Sequence, residues 1–87
     1  MTEKHKLLAE LISSLKQQRD ELSLQIHLGS AEAKDEWDRV QERLDKLSDD
    51  FQPLGDAVGE SADGLLTSLG LVAGEIKESF NRIRKAL

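Results

Sequence analysis

His5 and His27 are the only side chains in this 87-residue chain that could act as imidazole ligands or as bases near neutral pH. A di-iron helical bundle uses Glu-x-x-His, because that spacing projects a carboxylate and an imidazole from one helix face onto the metal. Thr2 and Leu24 stand three residues before the two histidines, so the signature is missing, and His27 is expected to sit idle in solvent. The segment DDFQPLGDAVGE at 49–60 begins with Asp and ends with Glu, as a calcium loop does. Phe51 and Pro53 replace oxygen ligands and Leu54 stands where the turn glycine belongs, so it does not read as a calcium site.

The acidic run Glu32, Asp35, Glu36 and Asp38 has nothing beside it to enclose or desolvate a carboxylate, and reads as a solvated helix face. No Ser or Thr has His and Asp partners in a recognisable nucleophile arrangement, and no phosphate-cradling glycine motif occurs. With no cysteine, thiolate metal sites and disulfides are excluded. The expectation is a protein with no catalytic residues, no cofactor and no metal, and hence not an enzyme.

The chemistry that remains is that of helix surfaces. A third of the residues are charged and only Trp37, Phe51 and Phe80 are aromatic, the palette of helices packed along narrow seams. The net charge of −5 concentrates in the middle: residues 32–64 hold eleven acids against four bases, whereas the C-terminal part ends in Arg82, Arg84 and Lys85. Such a field repels phosphates, so no nucleic-acid partner is expected. The first residues lack a long apolar core and do not read as a signal peptide. The weakly polar run Gly64–Gly74 is about half a membrane span. A cytoplasmic location is the default expectation.

The clearest element is residues 31–51, AEAKDEWDRVQERLDKLSDDF, where Trp37, Val40, Leu44, Leu47 and Phe51 fall on one stripe at helical spacing. Asp35–Arg39 and Glu42–Lys46 are i,i+4 pairs in the favourable order. Before it, Leu8, Ile12, Leu15, Leu22 and Ile26 follow the same period, with Leu7, Leu11 and Leu28 widening the stripe. Thr2 can cap this helix. Arg19 occupies an apolar phase, where its stem packs and its head snorkels to water, or where it forms a polar layer setting register between helices. After it, Leu65, Leu69, Val72, Ile76, Phe80, Ile83 and Leu87 line a last helix whose basic end complements the dipole.

Two places decide the topology. Pro53 and the glycines of LGDAVGESADG force a kink or turn near Pro53–Gly64. Gly29-Ser30 offers a helix stop and a cap, yet Ile26, Gly29, Ala33 and Trp37 stay in phase across it. Small residues at 29 and 33 would also admit a close neighbour beside Trp37. The preferred reading is a continuous helix over about 3–51, a bend over about 52–60 and a second helix over about 61–87, forming a single all-α domain over 1–87. Gly70 and Gly74 would mark a close helix contact.

This gives an elongated antiparallel hairpin. With its turn centred near Val58 and Gly59, Phe80 falls opposite Trp37, and Arg82, Arg84 and Lys85 fall opposite Asp35, Ala33 and Glu32. Residues 1–29 then overhang, and their apolar side chains need cover worth roughly 1.5–3 kcal/mol each. Either a second chain supplies it, making a homo-oligomer with a dimer favoured, or a turn at Gly29-Ser30 makes a three-helix bundle.

The motifs QIHLGSAEAKDEW at 25–37 and EIKESFNRIRKAL at 75–87, joined through the glycine-rich bend, resemble small uncharacterised bacterial helical, coiled-coil-like proteins. The resemblance implies a bacterial cytoplasmic protein and carries over no catalytic residue. The function expected is structural or protein-interacting, by helix–helix association with itself or another helical protein. The alternative is peripheral binding of a membrane or lipid surface by an amphipathic helix over 64–87.

Overall fold

The computed structural model describes residues 3–55 and 60–87. Three helices carry the chain: α1 (Glu3–Ser23), α2 (Ala31–Phe51) and α3 (Glu60–Ala86). The fold is all-α, as expected, with no strand among the described residues. Thr2 and the hairpin centre at Val58–Gly59 lie outside them.

The continuous helix expected over 3–51 is broken, and the three-helix arrangement is the one adopted. α1 stops at Ser23, a 3-10 turn covers Ile26–Leu28, and α2 starts at Ala31. Ser30 is extended (φ −68°, ψ 168°), and its hydroxyl accepts from the Ala33 amide at 3.2 Å, closing the start of α2. The Leu28 and Gly29 amides donate to the Gln25 and Ile26 carbonyls at 2.9 Å, so the turn satisfies its own backbone.

Gly29 is needed here for space. Its φ is −81°, which any residue adopts. A Cβ at this position would lie 3.2 Å from the Ile26 carbonyl oxygen, from Ala33 Cβ and from Leu87 Cδ2. The small residues at 29 and 33 therefore do admit a close neighbour, the end of α3. The turn wins over a straight helix because it hides the overhang within the chain: Leu8, Ile12, Leu15 and Leu22 are all buried.

At the second corner α2 ends on Phe51 and a 3-10 turn spans Gln52–Gly55, holding Pro53 where no helical amide is required. α2 runs antiparallel to both neighbours, and α3 packs along both of the others, while α1 and α2 touch each other more sparsely. The result is a rod of 45 × 17 × 17 Å. Its fully buried side chains, Leu15, Val40, Leu44, Leu47, Ile76, Phe80 and Ile83, come from all three helices, so there is one core.

Candidate interaction surfaces

The seam residues read from the sequence meet in that core rather than on an open face. Trp37, Val40, Leu44 and Leu47 of α2 pack against Ile76, Phe80 and Ile83 of α3 and Leu8, Ile12, Leu15 and Leu22 of α1. Leu11, Ile26, Phe51, Leu69 and Val72 are partly buried around them. Leu65 is the misplaced member. It is 54% exposed, and Leu66 takes its place beside Ala73. Ala73 has no bulk to announce itself, and of two adjacent leucines the period alone could not choose. Leu7 and Leu28, expected to widen the α1 stripe, face solvent.

The α2–α3 register falls within one residue of expectation. Trp37 and Phe80 are in ring contact with centroids 6.1 Å apart. Arg82 reaches Glu36 rather than Asp35, with Nε and Nη2 each 2.8 Å from the Glu36 Oε1. Arg82 also donates to the buried Ser79 hydroxyl at 3.0 Å, a contact the sequence did not suggest. Arg84 instead donates to Gln18 of α1 at 3.2 Å and to Asn81 at 3.3 Å.

Arg19 follows the first of its two expected readings, with a covered stem and a head at the surface. Its side chain is largely covered, and its guanidinium lies 3.5 Å from Asp45 of α2 and 3.6 Å from Asp20. The pairs expected at Asp35–Arg39 and Glu42–Lys46 are not among the ion pairs of the described residues, because nothing holds those exposed side chains together. Gly70 and Gly74 have open space where a Cβ would sit, so they mark no close contact within the chain.

His27 is exposed, as expected, whereas His5 is buried and stacks on Phe51 with centroids 4.6 Å apart. The signal for His5 was its spacing: it precedes Leu8, Ile12 and Leu15 at three- and four-residue steps. The stack ties the start of α1 to the end of α2. Among the described residues, no group of three or more His, Cys, Asp or Glu is placed to hold a metal ion.

Grooves between the helices and exposed leucines mark the surface of the described residues. Between α1 and α3 lies an apolar groove of about 350 Å³, lined by Leu7, Leu8, Leu11, Leu66, Thr67 and Gly70. Between α2 and α3 a polar groove of about 250 Å³ is lined by Glu36, Arg39, Val40, Arg43, Ser79 and Arg82. Leu7 and Leu65 stand exposed in the first turns of α1 and α3, Leu71 midway along α3, and Leu24 and Leu28 at the α1–α2 turn. Among the described residues no helix is long and apolar enough to cross a membrane. Comparison with protein-family models, with curated proteins and with solved structures finds no match to this chain.

Proposed function

We propose that the protein is a non-enzymatic interaction module that works by helix–helix association, with a second copy of itself as the favoured partner and the cytoplasm as its setting. One observation supports this most directly. Leu7 is 59% exposed and lines the open apolar α1–α3 groove with Leu8, Leu11 and Leu66, in a chain with charge to spare for solvated positions. An exposed leucine on the rim of an apolar groove is the kind of surface that marks a contact site. Of the N-terminal side chains expected to need a second chain for cover, Leu8, Ile12 and Leu15 are buried within this chain, and Leu11 partly so. Association therefore draws on the remaining leucines or on rearrangement of the bundle.

The membrane alternative would detach α3, exposing Ile76, Phe80 and Ile83, each buried to within 1%. At roughly 1.5–3 kcal/mol for each such side chain, that is a large share of a small domain's stability. It is the weaker reading. Light-scattering mass measured from micromolar to millimolar concentration tests the first: mass rising with concentration is expected, and a strict monomer throughout would remove it. Sedimentation with anionic vesicles at low salt tests the second, and absence of binding would dismiss it.

A further inference from the structure

Residues 24–30 reverse the chain between α1 and α2, yet the apolar phase is indifferent to the reversal. In sequence Ile26, Gly29, Ala33 and Trp37 keep the spacing of one helical stripe across the turn, so a straight segment would place them on one face. Apart from the burial of α1, which an exchanged copy would restore, the bend is held by the Ser30 cap, the 3-10 hydrogen bonds and the absence of a side chain on Gly29. The helix that the turn delivers, α1, is held mainly by α3 and only sparsely by its sequence neighbour α2.

We propose that a second copy of this chain is engaged by exchange of α1. The turn straightens into one helix over residues 3–51, and α1 leaves its own α3 for the equivalent place on the other copy, which reciprocates. The inference rests on the self-association reading and specifies how the partner is held. Every contact α1 makes in the closed chain is remade between copies, so the balance is set at the hinge. Straightening gives the last carbonyls of α1 and the first amides of α2 helical partners in place of cap and turn bonds. It forfeits the Ser30 cap and the contact of Gly29 with Leu87.

The geometry also says where two such helices cross. They lie antiparallel, as α1 and α2 do within one chain, and known contacts fix the two-fold axis. Halfway between Arg19 and Asp45 is position 32, and halfway between His5 and Phe51 is position 28. Gly29, Ser30 and Ala31 lie inside that interval, with Ala33 just beyond it. Small side chains there let the two axes approach closely.

Ala31→Pro tests the hinge in one direction. Ala31 is the first residue of α2, and Ser30 before it is already extended, so proline suits the closed turn and forbids a continuous helix. Gly29→Ala combined with Ser30→Ala pushes the other way, removing the cap and favouring helix through the hinge. The chain has no cysteine, so Gln18→Cys with Arg84→Cys gives a clean reporter of which α3 holds α1. The reporter pair is introduced into the wild-type background and into both hinge variants and joined with a short bis-maleimide.

The expected results are an association constant at least about tenfold higher in the Gly29/Ser30 variant, and covalent dimers among its cross-linked products. Ala31→Pro should be a folded monomer, linked only within its own chain. Dimers whose link forms only within chains would overturn the exchange and leave self-association standing. A wild-type chain that is monomeric at every concentration would fail the self-association reading itself. Equal association in Ala31→Pro and wild type would also overturn the exchange.

Discussion

Trp37 and Phe80 meet between α2 and α3 with ring centroids 6.1 Å apart and ring planes inclined by 42°. Phe80 is wholly buried, and the pair sets the register of the antiparallel helices around it. Phe80→Ala should cost about 3–5 kcal/mol, a large part of the 5–15 kcal/mol typical of small domains. Because Trp37 is the sole tryptophan, its fluorescence in a urea titration reads this loss directly. A midpoint within error of wild type would contradict the packing described.

Glycines of one chain should respond oppositely to the same substitution. Gly74 lies inside α3 with no atom near its would-be Cβ, so Gly74→Ala should stabilise by about 1 kcal/mol, or some 4–8 °C in Tm. Gly29→Ala should lower the Tm of the closed chain. Its stiffening of the unfolded state, about 0.4–1 kcal/mol, is opposed by contacts with the Ile26 carbonyl and Ala33, neither of which can swing aside. Thermal melts at a fixed low concentration compare the two.

Adjacent leucines offer a test of helix phase. Leu66→Asp puts a carboxylate into a site 5% exposed and should unfold much of the population at room temperature. Leu65→Asp acts on an exposed side chain and should shift stability by no more than about 0.5 kcal/mol. Far-UV circular dichroism of the two variants decides it, and equal effects would mean that α3 is rotated.

The ion pair between Arg19 and Asp45 joins α1 to α2 at 3.5 Å, with Asp45 largely in solvent. A double-mutant cycle to Ala should give a coupling of about 0.2–1 kcal/mol, shrinking in high salt. Arg19→Ala alone should cost more than Asp45→Ala, because the Arg19 stem is covered by the bundle.

The α2–α3 half of the fold was legible in the sequence because several signals converge there. The stripe through Trp37 and Leu44, the basic end of α3 and the break at Pro53 allow one antiparallel register, and Phe80 against Trp37 satisfies them all. The turn at Gly29-Ser30 was readable only as an alternative, since a seven-residue reversal that preserves apolar phase leaves no mark in periodicity. The discriminating facts are three-dimensional: Leu87 arriving against Gly29, and α3 offering a second flank to Leu8, Ile12 and Leu15. That flank exists because α3 presents Leu66 and Ala73 as well as Ile76, a wider apolar arc than the stripe through Leu65 suggested. The exposed surface was the least legible part. Leu7 reads in sequence as part of the α1 stripe, and only the packing shows it left outside.

α3 is the helix on which both others lean, whereas α1 and α2 meet more sparsely, through the shared core, the His5–Phe51 stack and the Arg19–Asp45 pair. Such an arrangement should loosen by steps. Amide protons of α1 should exchange with deuterium first, as that helix lifts away, while those around Val40, Leu44, Ile76 and Phe80 wait for global opening. Exchange in that order would make α2 and α3 a two-helix spine and α1 a strut that lifts from it.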